Sequence, residues 1–118
     1  MINELVKRLS ENKHKVVIGH RDEPYEEIKK RIEDGYVYIK FTQTKGGTEL
    51  GVNVDNHLTH VEEADFETGK GTLHVAGTCD LNFQKVRCIA DIDLETRQGI
   101  GYLELLDESG QSMSNTVQ

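Results

Sequence analysis

Apolar and polar residues alternate with a period of two over most of the chain that follows residue 35. Residues 35–41 alternate aliphatic side chains with tyrosine and lysine, and the glycines at 46 and 47 separate them from a second alternating run at 49–54. Because successive side chains of a strand point to opposite sides, these runs predict strands, and the glycine pair predicts a hairpin. Further alternating runs at 73–81, 86–94 and 101–105 predict three more strands.

Two segments before residue 35 have a helical period instead. The apolar residues of 2–11 fall on one helix face. The second segment has Asp22 as a candidate cap, Pro24 in the first turn and Gly35 just after the end, which is typical of a helix. Between the two helices, residues 16–18 form a β-branched run that predicts a short strand.

A seven-residue motif occurs twice in the chain. Residues 65–71 read Asp-Phe-Glu-Thr-Gly-Lys-Gly, and residues 93–99 read Asp-Leu-Glu-Thr-Arg-Gln-Gly. Each copy adjoins alternating runs, so the repeat predicts the turns of two hairpins. Residues 57–66 predict a further, less regular strand: Leu58 and Val61 have opposite parity, and a bulge would reconcile them.

The order of these elements predicts the fold class. A helix, a strand, a helix and then about six strands predict one α+β domain over residues 1–106, with two N-terminal helices packed on a curved antiparallel sheet arranged as a meander. Parallel crossovers are excluded, since no helix separates the later strands. Residues 107–118 have little to bury and are predicted to form a disordered tail.

Composition and charge narrow the class of protein. The chain has 118 residues and a formal net charge of −7. This charge disfavours nucleic acid and anionic membranes as partners and favours a basic one. No apolar run approaches the roughly 18 residues of a membrane span, and the first residues lack the pattern of a secretory signal. We therefore expect a cytoplasmic protein with reduced cysteines.

The chain lacks the common catalytic motifs. It has no Gly-x-Ser-x-Gly, no phosphate-binding loop and no Gly-x-Gly-x-x-Gly. Its four serines lie at a helix end or in the predicted tail, where no nucleophile would be held rigidly. The sequence favours a protein without catalytic residues and predicts no cofactor.

Histidines form the densest group of candidate metal ligands. His57, His60 and Glu62 lie within six residues, and His74 on a neighbouring strand is the candidate for a further ligand. Two histidines three residues apart converge on a helix or a tight loop but diverge on a strand. The alternative interpretation is a set of surface imidazoles near a turn.

Two other clusters carry potential chemistry. Cys79 and Cys88 flank a predicted turn and have the parity of the buried row, which favours core packing, with a redox pair or metal ligation as alternatives. Asp91, Asp93 and Glu95 lie on one side of a strand. Such carboxylates suit calcium binding or acid–base catalysis, but they are also ordinary turn chemistry.

An apolar and aromatic strip is predicted on the side of the sheet away from the main apolar row. Either a helix covers this strip, or the strip contacts a ligand or another subunit. The run at 35–41 partly fits the aromatic strand of RNA-binding sheets, but Asp34 and Val37 depart from that pattern and the net charge is negative. The strip contains Tyr36, Tyr38, Ile89, Ile100 and Tyr102.

The leading hypothesis is a non-catalytic cytoplasmic binding or regulatory module. It acts through Tyr36, Tyr38 and Tyr102 on a protein partner or as a homodimer. One alternative is a small-molecule-binding protein or small enzyme with a pocket between the curved sheet and the helices, where His60, His74 or Glu62 supply polar groups. The other is a metal-binding protein that uses His57, His60 and His74.

Overall fold

The computed structural model describes residues 4–19, 22–107 and 109–111. Both predicted helices and all the predicted strands are present, although the strand predicted within 57–66 is reduced to Ala64–Asp65. The elements are α1 Glu4–Glu11, β1 His14–Ile18, α2 Tyr25–Asp34, β2 Tyr36–Phe41, β3 Thr48–Val54, β4 Ala64–Asp65, β5 Lys70–Leu81, β6 Gln84–Asp93 and β7 Gln98–Leu105. The predicted tail is described only at 107 and 109–111, and its other residues lie outside the described part of the chain.

Six of the strands form a closed antiparallel barrel. The order is β3-β2-β1-β7-β6-β5, β3 pairs with β5 to complete the ring, and β4 adds to β5 outside it. The predicted antiparallel meander is therefore correct in strand order, but the predicted open, curved sheet is wrong. The first and last strands close on each other, with His14 opposite Gly101 and Val17 opposite Gln98. Because β1 and β7 pair with each other along these residues, neither strand has an exposed hydrogen-bonding edge there.

The apolar sides of the strands fill the barrel. Inward residues of β2, β5 and β6, such as Ile39, Val75 and Val86, are completely buried. The interior is a packed core of side chains, as expected for a barrel with few strands. The largest fully buried side chains are Phe41, Leu9, Ile18, Ile28, Ile39, Leu73, Ile92, Leu94, Leu103 and Leu106.

The two helices close the two ends of the barrel and do not lie on the outer face of the sheet. Val6 and Leu9 of α1 belong to the core, and Arg8 Nη2 donates to the Gln43 carbonyl in the β2–β3 turn at 3.0 Å. At the other end, Ile28 and Ile32 of α2 are buried. The predicted packing of helices on one sheet face is thus corrected, because closure leaves only the barrel ends open to them.

The repeated motif builds two similar turns that hold α2. In each turn the first residue, Asp65 or Asp93, accepts through Oδ1 the N–H two residues on, at 3.0 and 2.9 Å. The fifth residue, Gly69 or Arg97, has a positive φ of 72° or 63°. Both fifth residues contact Tyr25 of α2: its ring atoms lie 2.2–2.7 Å from where a Cβ on Gly69 would be, and its ring centroid lies 4.6 Å from Arg97 Cζ.

Substitution of Gly69 by alanine tests whether the two turns hold Tyr25 in place. Gly46→Ala is a matched control, because Gly46 has nearly the same φ, 75°, and nothing within 4 Å of an added Cβ. Both variants strain the backbone, but only Gly69→Ala displaces the Tyr25 ring. We expect Gly69→Ala to lower the free energy of unfolding by about 1–2 kcal/mol more than Gly46→Ala, measured by urea denaturation. Equal losses of unfolding free energy in the two variants would mean that the contact with Gly69 does not hold Tyr25 in place.

Candidate functional site

Tyr36 and Tyr38 form an exposed aromatic pair on the outer face of β2. The alternation of β2 directs Val37 and Ile39 into the barrel and the tyrosines outward. The two rings meet edge to face, with centroids 5.4 Å apart and planes at 85°. Their exposed fractions are 43% and 39%. Neither helix covers them, so the question left open by the sequence is answered: these tyrosines are surface residues.

The Tyr36 ring extends from β2 across β3. Gly51 stands opposite Tyr38, and a Cβ on Gly51 would lie 1.9 Å from the Tyr36 hydroxyl oxygen. The absence of a side chain at Gly51 therefore makes room for the ring. Desolvation, followed by the neighbouring Tyr38, raises the pKa of Tyr36. A tyrosine hydroxyl is neutral at physiological pH with or without this shift, and it can donate a hydrogen bond. We call Tyr36, Tyr38 and Gly51 the tyrosine face.

Tyr102 does not belong to the tyrosine face. Strand β1 lies between β2 and β7, and its Val17 is opposite both Lys40 and Gln98. Counted from Lys40 on β2, Tyr38 lies two residues toward one end of the barrel. Counted from Gln98 on β7, Tyr102 lies four residues toward the other end. At about 3.3 Å per residue, they are offset by about 20 Å along the strands. The predicted single strip is therefore split, and Tyr102 neighbours Ile89 on β6.

The seam between β3 and β5 borders the tyrosine face. Only two residue pairs join these strands, Asn53 with Thr78 and Val54 with Gly77, whereas six join β2 to β3. Asn53 Nδ2 also donates to the Thr78 carbonyl at 3.3 Å. Within the described part of the chain, residues 48–52 of β3 pair with no strand on the β5 side. The surface beside the tyrosines thus includes backbone groups without a strand partner.

The predicted histidine cluster is only partly assembled. His60 and His74 form an isolated bridge, with rings stacked 6.0 Å apart. His74 Nδ1 lies 2.6 Å from Asp91 Oδ1, and His60 Nδ1 lies 3.8 Å from Glu62 Oε2. The backbone N–H of His57 donates to Asp55 Oδ1 at 2.9 Å. No hydrogen bond or ion pair in the described ranges joins the His57 side chain to His60, Glu62 or His74. Among the described residues, no three His, Cys, Asp or Glu side chains converge as a metal site.

The concavity at this cluster is small. It has a volume of about 180 Å³ and is lined by His60, Glu62 and His74 with four neighbours. Small-molecule sites usually have volumes of about 300–1,000 Å³ and an apolar lining. Side chains fill the interior of the closed barrel. A concavity of about 370 Å³ does lie between Tyr25 of α2, residues 17–19 and residues 95–98, but none of His60, Glu62 and His74, the side chains predicted for such a pocket, lines it. A concavity of about 620 Å³ lies between α1 and the β2–β3 turn, and seven of its eight lining residues are charged or polar.

Both cysteines are free thiols of the core, as the buried-row interpretation predicted. They are not directly opposite each other: Cys79 faces Val86, and Cys88 faces Gly77. Desolvation by burial, followed by the charge of Asp80, raises the pKa of Cys79 to about 11. Burial also raises the pKa of Cys88. Neither thiol has the thiolate character that a nucleophile requires.

The carboxylates on β6 act locally. Asp91 pairs with His74, and Asp93 accepts an N–H in its own turn. Asp65 does the same in the first turn, and backbone hydrogen bonds, chiefly from Thr68, lower its pKa. Turn chemistry therefore accounts for the two aspartates of the repeat.

Phe83 is a surface feature that the sequence interpretation missed. It lies with Asn82 in the two-residue turn between β5 and β6, and it is the most exposed large apolar residue described. The signal was present in the sequence: such a turn favours Asn-Gly, and this chain has Asn-Phe.

The similarity of this chain to known proteins extends over nearly its whole length and does not depend on one motif. The family model described as core binding factor beta subunit matches residues 2–118. The chain is also similar to Protein big brother of Drosophila melanogaster, with 30% identity over 107 residues, which cover 86% of this chain and 50% of that protein. The chain thus spans about half the length of this relative. No helix in the described ranges is long and apolar enough to cross a membrane.

Proposed function

Because the chain belongs to the core binding factor beta subunit family, we propose that it is a non-catalytic subunit of a transcription-regulatory complex. It binds a protein partner that contacts DNA, and it binds that partner through the tyrosine face. A subunit of this kind works by protein association, so it needs a rigid, exposed surface and no catalytic residues.

The exposed Tyr36–Tyr38 pair is the observation that supports this site best. Tyrosine is enriched at protein interfaces because its ring buries a large area with little loss of conformational entropy, while its hydroxyl can form a hydrogen bond. The rings lie on β2, which is paired along its whole length with β3, so the surface is ordered before binding. The adjoining seam adds backbone donors and acceptors for a partner.

The charge of the chain supports a protein partner over direct binding to DNA. A net charge of −7 repels phosphates but complements a basic surface. Proteins that bind DNA carry such basic surfaces, because they neutralise phosphates with lysine and arginine. The prediction that the chain itself binds no nucleic acid follows from this charge, and its cytoplasmic location stays a prediction.

A gel-shift experiment tests the proposed function. The probe is a labelled duplex with the binding site of a core binding factor, and the partner is the purified DNA-binding subunit of that factor. We expect the chain to retard the complex of subunit and duplex further, and to leave the free duplex unshifted. No further retardation at micromolar concentration would contradict the proposal, and so would a shift of duplex by the chain alone. Light scattering of the chain alone tests the alternative of a homodimer.

A further inference from the structure

His60 and His74 are held side by side by the backbone. The His60 N–H donates to the His74 carbonyl at 2.8 Å, and the His74 N–H donates to the His60 carbonyl at 2.9 Å. Next to this pair, Thr59 Oγ1 donates to the Ala76 carbonyl at 3.0 Å and accepts the Ala76 N–H at 3.1 Å. These bonds fasten the segment that follows β3 to β5. The positions of the two rings therefore do not depend on hydrogen bonds between the histidine side chains themselves.

Each of the two rings turns Nδ1 toward a carboxylate. His74 Nδ1 lies 2.6 Å from Asp91 Oδ1, which is a hydrogen-bond distance, and His60 Nδ1 lies 3.8 Å from Glu62 Oε2. Within the ranges that the structure describes, no hydrogen bond involves Nε2 of either ring. A histidine that donates Nδ1–H to a carboxylate keeps the lone pair on Nε2 for a metal ion, and metal-binding histidines usually have such a partner. Both Nε2 atoms can therefore act as ligands.

The spacing of the two rings fits one shared ion. A zinc ion lies about 2.0–2.1 Å from the imidazole nitrogen that binds it, and so about 3.2 Å from the ring centroid. Two rings that share a tetrahedral ion therefore have centroids about 5 Å apart, with an upper limit of about 6.4 Å. The centroids of His60 and His74 are 6.0 Å apart, and the ring planes meet at 29°. Because His60 is exposed, its ring can rotate into the required geometry.

The concavity beside the two rings favours a small cation. It has a volume of about 180 Å³ and is lined by His60, Glu62, Glu63, Thr72, Leu73, His74 and Asp91. Three of these seven residues carry carboxylates, and no lysine or arginine of the described chain is among them. The local field therefore attracts positive charge. The volume is below the usual range for organic ligands but is sufficient for a hydrated ion.

We propose that His60 and His74 bind one divalent transition-metal ion of the zinc or copper class through their Nε2 atoms. These ions prefer imidazole nitrogen, whereas calcium and magnesium require oxygen ligands. Asp91 and Glu62 orient the rings, and water completes the coordination, because only two side chains supply ligands. The residues described around the concavity do not include His57, so His57 is not part of the site. The bound ion joins the segment that follows β3 to β5 and stabilises the fold.

Calorimetric titration of the metal-depleted chain with zinc chloride tests this proposal, with any affinity tag removed. We expect the wild-type chain to bind one equivalent of zinc and to unfold at a higher temperature with zinc than without it. His60→Gln and His74→Gln should each lower the affinity for zinc at least about tenfold, because each removes one of two ligands. Both variants should fold, since the bridge between these residues consists of backbone hydrogen bonds. His57→Gln, at another exposed histidine of the same segment, is the matched control and should bind zinc as the wild type does.

Nuclear magnetic resonance locates the ion on the chain. On addition of zinc, the ring signals of His60 and His74 should shift, and those of His57 should not. No binding of zinc at submillimolar concentration would overturn the proposal. Equal affinity in all three glutamine variants would also overturn it, because it would show that the acidic surface attracts cations without a specific site. None of these measurements uses a protein partner, so their failure would leave the proposed function standing.

Discussion

Replacement of Gly99 by alanine is expected to destabilise the fold more than the other substitutions considered. An added Cβ would lie 1.9 Å from the Asp91 carbonyl oxygen and 2.7 Å from the Ile92 Cα. Both contacts are backbone atoms of β6, and Gly99 is also paired with Val16 of β1. Relief would require two strand pairings of the closed barrel to move together. We expect a loss of about 3 kcal/mol or more of unfolding free energy, a large share of the stability of a small domain.

Gly51→Ala is the matched control for this substitution. Gly51 is also a strand glycine without a positive φ, and its closest contact is likewise 1.9 Å, but that contact is the hydroxyl of the exposed Tyr36. The tyrosine can rotate away, so the control should lose less than about 1 kcal/mol. Denaturant titration followed by circular dichroism measures both. Similar midpoints for Gly99→Ala and the wild type would show that β6 and β7 can separate without breaking the barrel.

Loss of both rings of the tyrosine face is expected to have the largest effect on partner binding. Tyr36→Ala combined with Tyr38→Ala should weaken binding to the DNA-binding subunit of core binding factor about 100-fold, as expected for loss of about 2–4 kcal/mol at interface hot spots. The fold should persist, because both side chains point away from the core. Calorimetry at several salt concentrations measures the affinity, and the unfolding temperature reports on the fold.

Tyr102→Ala is the control that distinguishes the structure from the sequence interpretation. The sequence placed Tyr102 on the same surface as Tyr36 and Tyr38, whereas the barrel places it about 20 Å farther along the strands and beyond β1. We expect Tyr102→Ala to bind the partner like the wild-type chain. A loss equal to that of the double variant would mean that the partner contacts both regions, and unchanged binding of the double variant would refute the tyrosine face.

The sequence predicted which residues of β2 face outward at the candidate site, but it did not predict how far the site extends over the surface. Alternation in β2 identified Tyr36 and Tyr38 as outward-facing, because the period of a strand is a local property. The separation of Tyr102 depends on β1, which lies between β2 and β7 although 17 residues of chain separate it from β2. The two histidines that meet, His60 and His74, illustrate the same limit: a backbone bridge between distant segments brings their rings together.

The sequence by itself determined the elements of this protein. Periodicity and turn residues specified the helices, the antiparallel strands, the buried cysteines and the paired turns of the repeat, because each depends on neighbours close in the chain. Tertiary structure alone decided that β1 and β7 meet to close a barrel, that the helices occupy its ends, and that Gly69 and Arg97 hold Tyr25. The barrel closes when strand edges that are distant in the chain form hydrogen bonds with each other, and no local sequence pattern specifies which edges pair.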